Sequence, residues 1–490
     1  MKNTIEGKNI VIIGSGIGGL SAGILLAGLN YQVTIVEKNP LPGGLMRSYR
    51  RVGIDCPVGV HYVGALGENE PLGKMFSLMG IQVSELFFKI EQEGFIDRYI
   101  FDDFIFDLPV NLDAYGNNLR KSFPREARAI DIITNNLRTI MKQMTNPSFL
   151  LNQGDPFQNT DYYQPFGKFL DNIDVSAGLR AVLGVPCQLF GVPAAECPVI
   201  LHHMVMAGYL LSAWRLKENG SKMAEVFVRR FLELGGELVL NNGADEILTG
   251  AKKINGVRLQ SGAELSADAV ISDIHPKILL KLLQPHSVRP SYRQRILELK
   301  ETEGVIGVQA SVDATVHPET SHNIYKLTAD EEGTITDGIF YQIRRGSHQS
   351  NLLSIITRSL YKEWDQWENT FSGKRGHAYE TKKMAIGREL LQKAEKVFGP
   401  LKNAQIIDIF TPLTIRDYIN CPEGSCYGVL RSASQLMKVA SLNNVPVTGL
   451  FLAGQNALAP GVLGSILGAF SVAKQITGAE RFNRLTGWNS

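Results

Sequence analysis

Only five cysteines occur in 490 residues: Cys56, Cys187, Cys197, Cys421 and Cys426. None belongs to a CxxC pair, and an odd, scattered set argues against both a disulfide framework and a zinc site. Cys421 and Cys426 flank Pro422-Glu423-Gly424-Ser425 and are a candidate redox pair, with reduced, packed thiols as the default. Long apolar runs are missing too. The nearest, Cys197 to Trp214, is interrupted by His202 and His203, which favours a buried helix over a membrane span. Adjacent histidines do not share a helix face as two ligands would, so no metal site is expected. Charge of one sign is also missing: 50 Lys plus Arg against 48 Asp plus Glu leaves +2. Without basic runs interleaved with aromatics, nucleic acid is excluded as a partner. No apolar signal-peptide core precedes the first expected strand, so a cytoplasmic location is expected. A second GxGxxG is absent as well, so no separate nicotinamide domain is encoded.

What the chain does contain begins at residue 10 with IVIIGSGIGG. Val11, Ile12 and Ile13 form the continuous apolar run of a strand buried on both faces. In the turn that follows, Gly14 permits the sharp reversal and Gly16 lets backbone approach a diphosphate. Gly19 lets the next helix pack on the sheet, and Ser15 and Gly18 complete the turn. The helix N-terminus, with free N–H groups and partial positive charge, is an anion site. A second strand, 32–36, ends at Glu37, whose carboxylate can accept both hydroxyls of an adenosine ribose. An acid there disfavours a 2′-phosphate, leaving FAD or NAD.

The segment after Glu37 favours FAD. Lys38-Asn39-Pro40-Leu41-Pro42-Gly43-Gly44 is a turn-rich loop where a simple NAD fold enters its next helix. Lys38, Gly43, Gly44, Leu45 and Met46 therefore join the expected cofactor site, as does Ala244 at the start of a later strand. Near the C-terminus, a short buried strand at 450–453 runs into Gly454 and Gln455. Gly461, Val462, Leu463 and Gly464 then open a glycine-rich helix. Such an N-terminus can aim N–H groups at the edge of a flavin where charge accumulates on reduction. Small residues for close helix packing explain the same glycines.

At this length one simple core is insufficient. The expected division is a discontinuous nucleotide domain, 1–114, 220–300 and 401–490, interleaved with a substrate lobe, 115–219 and 301–400. Strands are expected at Lys253–Leu259, at Glu264–Ser272 and at 300–315 and 350–358, with a helix at Thr381–Phe398. Trp364 and Trp367 read as packing aromatics.

Four stretches carry a resemblance: IDCPVGVHYVGALG, EWDQWENTFSGKRGHAYET, CPEGSCYG and FLAGQNALAPGVLGSILGA. Through them the chain resembles the superfamily of phytoene desaturases, carotenoid isomerases and all-trans-retinol saturases, and is most similar to the saturase branch. The resemblance implies an α/β fold with a glutathione-reductase-type FAD-binding Rossmann domain and an α+β substrate domain. It implies an FAD-dependent oxidoreductase acting on conjugated C=C bonds of an apolar polyene or isoprenoid, as saturase or desaturase. Peripheral membrane contact for substrate uptake and an unidentified electron donor or acceptor go with it. His61 and Tyr62 are the expected catalytic residues, relaying the proton that saturation needs besides a hydride; a loop histidine satisfied by backbone is the competing account of His61. Two other functions share this fold: redox-neutral cis–trans isomerisation with FAD, and flavin-free binding of prenylated partners, against which the intact glycines and Glu37 argue.

Overall fold

The computed structural model describes residues 8–91, 93–146, 160–346 and 349–485. Its first layer is a five-stranded, wholly parallel sheet. Strand Asn9–Ile13 lies between Gln32–Val36 and Ala269–Ser272, with Glu237–Val239 and Leu450–Leu452 at the edges. Parallel pairing requires crossovers. The first is helix Ile17–Ala27, whose eleven residues are all buried, as expected of a helix apolar on every side. Helices Gly220–Glu233 and Gly461–Thr477 pack against it. Gly23 marks the tight contact, because a Cβ there would lie 2.9 Å from Ile35 and 3.0 Å from Phe231.

The run read as one strand over Glu264–Ser272 is two. Glu264–Ser266 pairs antiparallel with Lys253–Leu259 in a three-stranded meander, whereas Ala269–Ser272 joins the parallel sheet. Between them the Asp268 carboxylate accepts from the Asn9 N–H at 3.1 Å, and Asp268 N–H donates to Asn9 O at 2.9 Å. That pair of bonds turns the chain from one sheet into the other.

A seven-stranded sheet forms the second layer, in the order 405–410, 304–313, 350–359, 335–345, 323–329, 95–100, 105–109. It draws in two stretches placed by sequence with the nucleotide segments. Phe95–Ile100 pairs parallel with Asn323–Ala329, and Gln405–Phe410 pairs with Gly304–Asp313. Backbone pairing between segments this distant is something that sequence periodicity does not report. Helix His377–Phe398 covers the outer face, where Trp364 and Trp367 both pack edge-on against Tyr379.

Five helices, Leu112–Ser122, Ala127–Thr145, Phe166–Asn172, Ala177–Gly184 and Val199–Leu211, form a lobe over the open face of this sheet. His202 and His203 are both core residues of the last: their Nδ1 atoms are 3.0 Å apart, His202 Nε2 meets Leu183 O at 2.8 Å, and Phe166 stacks on His202 at 3.7 Å. Among the described residues no helix is long and apolar enough to cross a membrane.

Candidate functional site

The turn after the first strand is built as the sequence demands. Gly14 has φ +100°, a conformation that favours glycine, and its N–H donates to Val36 O at 2.9 Å, joining the turn to the second strand. A Cβ on Gly19 would lie 2.2 Å from Gly14 O, so the helix starts directly on the turn. Glu37 is buried and its carboxylate organises the loop: it accepts from Ser15 N at 3.0 Å, Ser15 Oγ at 2.7 Å, Asn39 N at 2.9 Å and Asn39 Nδ2 at 2.8 Å. Gly43, at φ +112°, donates to Ser15 O at 2.9 Å and folds the loop back over the turn.

One acid that sequence reasoning passed over occupies the centre of this cradle. Asp273 follows the strand Ala269–Ser272, just as Glu37 follows its own strand. Its carboxyl oxygens lie 2.7, 2.5, 3.0 and 2.0 Å from where a Cβ would stand on Gly16, Gly18, Gly19 and Gly454, respectively. The first obstacle to a side chain at Gly16 is therefore this carboxyl. Burial pushes the Asp273 carboxyl up to about 7, with the neighbouring Glu37 charge adding to the effect and the N–H groups of Gly19 and Gly16 opposing it. Its position at the end of ADAVISD was the available signal.

The C-terminal segment closes the other side. Ala453 N–H donates to Ser272 O at 2.9 Å, and a Cβ on Gly18 would meet Gly454 Cα at 2.4 Å. Beyond Gly454 the loop is held by buried Arg431, which donates to Gln455 O at 2.7 Å, Leu458 O at 3.0 Å and Val429 O at 3.3 Å. Nothing in the motif reading pointed to Arg431. A Cβ on Gly464 would lie 2.3 Å from Ala459 O, so close packing of loop on helix is one reason for that glycine.

A single cavity of about 1640 Å³ runs from this cradle into the helical lobe. That exceeds the roughly 300–1,000 Å³ of a site for one small ligand. Gly14, Ser15, Gly16, Gly18, Glu37, Lys38, Gly43, Gly44, Leu45, Met46, Ala244, Gln455, Gly461, Val462, Leu463 and Gly464 all line it; Gly19 and Gly454 do not, and serve packing. In the lobe the wall is mainly apolar, with Leu201, Met204, Val205 and Tyr209 from one helix facing Leu327, Ile335 and Phe340 from the second sheet.

His61 and Tyr62 line the middle of the cavity. His61 packs 5.1 Å from Phe340, and neither ring nitrogen has a hydrogen-bond partner of good geometry. Burial, reinforced by the charges of Arg344 and Arg215, lowers it to about 3, with the Gln342 side chain opposing. That shift favours the neutral imidazole at physiological pH, and neither ring nitrogen is satisfied by backbone. Tyr62 is different: its hydroxyl contacts Asp97 at 3.2 Å and Tyr325 at 2.9 Å. Cys421 and Cys426 both line the cavity as free thiols, pushed up to about 12 by burial. Among the described residues no group of three His, Cys, Asp or Glu side chains is placed to hold a metal ion.

With this geometry in place, the comparisons with known proteins are specific. Residues 12–77 match the model of an NAD(P)-binding Rossmann-like domain. The chain is 23% identical to the all-trans-retinol 13,14-reductase of Danio rerio, over 96% of this chain and 86% of that protein. It is 23% identical to prolycopene isomerase 1, chloroplastic, of an Oncidium hybrid cultivar, over 95% of this chain and 82% of the other. An oxidoreductase structure from Methanosarcina mazei superposes with a TM-score of 0.67 at 14% identity, covering 95% of this chain and 99% of that one.

Proposed function

We propose that the protein is an FAD-dependent oxidoreductase acting on conjugated C=C bonds of an apolar polyene or isoprenoid. The observation that carries this is the continuity of one cavity from a dinucleotide cradle to an apolar lobe, in a chain similar over nearly its whole length to a retinol reductase and a carotenoid isomerase.

The residues present fit the cofactor. The bare backbone of Gly14–Gly16 and the helix N-terminus suit a diphosphate, Glu37 suits the ribose, and Lys38 and Ala244 border the same end. Gly43 to Met46 and Gln455 to Gly464 would flank the ring system. When bound, the flavin supplies exchange of hydride or electrons with the alkene. The chain does the rest. Leu201, Val205, Leu327 and Phe340 bury the hydrocarbon and fix which bond is presented, and they keep water away from it. Tyr62, a residue of the cavity wall whose hydroxyl meets Asp97 and Tyr325, would hold or give a proton. His61, held neutral by burial and packed on Phe340, shapes the wall.

Purified protein is expected to be yellow and to release FAD on denaturation. Anaerobic incubation of the chemically reduced protein with a panel of polyenes then tests the reaction, a product heavier by two hydrogens being expected. Correctly folded, colourless protein that cannot be reconstituted with FAD overturns the proposal. Unchanged mass with altered double-bond geometry replaces it with the isomerase reading, to which the similarity to prolycopene isomerase points.

A further inference from the structure

Behind the cavity wall, where the lobe meets the second sheet, lies a polar group that the reading above leaves unused. Asp97, on strand Phe95–Ile100, is 1% exposed. Asn323 Nδ2 donates to its Oδ1 at 2.8 Å, and the Tyr62 hydroxyl donates to its Oδ2 at 3.2 Å. The Tyr62 hydroxyl in turn lies 2.9 Å from that of Tyr325. Both tyrosines line the cavity; Asp97 does not. The result is a hydrogen-bonded row leading from a sealed carboxyl to the space where an alkene would lie.

The surroundings are set for proton transfer rather than for an ion pair. The nearby cation, Arg215, donates to Asn323 Oδ1 at 3.1 Å and not to Asp97, and Gln342 Nε2 fills the same Asn323 oxygen at 2.7 Å. Tyr99 from the same strand and Tyr209 from the lobe lie close enough to act on Asp97 as well; the Tyr209 ring packs at a tilt on Tyr62, centroids 4.7 Å apart. Burial pushes the Asp97 carboxyl up to about 7, its hydrogen bonds with Asn323 and Tyr62 and the Arg215 charge limiting the rise. All four tyrosines are held above their ordinary value by burial and so keep their protons. A carboxyl sealed among aromatics costs stability that an apolar residue would not, and a group titrating near neutrality beside a cavity is the usual mark of acid–base work.

We propose that Asp97 is the proton reservoir of the cavity, exchanging a proton with the bound alkene through the hydroxyls of Tyr62 and Tyr325. The proposal rests on the alkene chemistry proposed above. In the saturating direction, one alkene carbon receives hydride, the two electrons coming from a reduced flavin as reductant. The other carbon takes the proton of a tyrosine hydroxyl. The O–H bond breaks as the C–H bond forms, and the tyrosine oxygen recovers its proton along the row from Asp97. The carboxyl is left as carboxylate and regains a proton from solvent between turnovers. Desaturation reverses each step. Tyr62 and Tyr325 are the catalytic residues in this account, and Asp97 acts through them.

The test needs one measurement without substrate and one with it. Infrared difference spectra of the full-length protein against pH are expected to show protonated carboxyls that titrate near 7, of which the Asp97 band is missing in Asp97→Asn while the Asp273 band stays. In single turnovers of the reduced holoenzyme, Asp97→Asn and Tyr325→Phe are expected to slow the reaction about 100-fold, the lower range of general acid catalysis. Asp97→Asn should also lose the inflection of rate near pH 7, with flavin content and substrate affinity unchanged. A folded Asp97→Asn protein that keeps the inflection, or an infrared titration unchanged by the substitution, overturns the proposal. Should Asp97→Asn not fold, Tyr62→Phe removes only a hydroxyl and is read the same way: wild-type rate and pH profile overturn the proposal, and loss of both supports it. If the wild type turns over no polyene, the functional reading fails separately, and the infrared titration alone decides whether Asp97 exchanges protons.

Discussion

Asp273→Asn is the most direct probe of the cradle. The wild-type carboxyl sits among four glycines, and its rise to about 7 from an ordinary 3.8 corresponds to at most about 4 kcal/mol. Because Asp273 borders the cavity and keeps some exposure, screening by water reduces that figure. The sign follows from linkage. The folded state binds the proton more tightly than the unfolded chain does, so stability is highest below about 4. It is lost as pH rises from there through about 7. A bound diphosphate would add negative charge beside the same Gly16 and Gly19 N–H groups and would favour the protonated acid further. FAD affinity of the wild type is therefore expected to fall above pH of about 7, by up to tenfold per pH unit, the limit for one linked proton. Asp273→Asn carries no titrating charge and is expected to bind with a flat profile between about pH 6 and 9. It should also be the more stable protein at about pH 8. Flavin-fluorescence titration of the flavin-free protein at several pH values reads the affinity, and thermal melts read the stability. A wild-type dissociation constant constant within about twofold over that range, or a slope that survives in Asp273→Asn, refutes the assignment.

The remaining predictions concern separate parts of the cavity. Gly18→Ala forces a methyl into Gly454 Cα at 2.4 Å, and overpacking of this kind costs about 1–3 kcal/mol; lower melting temperature and flavin content are expected, and unchanged values would mean the two segments separate freely. Glu37→Ala removes four hydrogen bonds to a charged acceptor, each worth about 1.5–3 kcal/mol and not additive, so FAD retention should fall much further than in Glu37→Gln, which keeps an acceptor; equal retention in the two variants would count against the carboxylate. Gly208 lines the cavity and a Cβ there meets nothing within 4 Å, so Gly208→Leu should raise KM for a polyene while leaving flavin content intact, and unchanged KM would place the substrate elsewhere. With no second phosphate-binding turn in the sequence, NADPH should reduce the flavin slowly and without saturation; stopped-flow reduction that saturates would contradict this.

Much of the cradle was legible because local chemistry imposes it. A buried parallel strand must be apolar throughout, a turn at φ +100° favours glycine at position 14, and an acid closing the second strand stands at a fixed distance along the chain. The spacing of IVIIGSGIGG and Glu37 therefore determined the nucleotide turn, its helix and the loop of Gly43 and Gly44, and glycines in helix Gly461–Thr477 marked its approach to the same place. Tertiary structure decided what depends on distant segments meeting. Strands Phe95–Ile100 and Gln405–Phe410 join the second sheet through backbone pairing, which carries no side-chain signature. Asp273 reaches the four glycines only when three strand ends converge. His61 and Tyr62 are neighbours in sequence, but alternate side-chain directions put one ring against Phe340, where burial holds it neutral, and the other against Asp97 and Tyr325, from residues 35 and 263 positions away. Sequence fixes which groups are available; the protonation state of each is set by desolvation and by partners that only the folded chain brings within hydrogen-bonding distance.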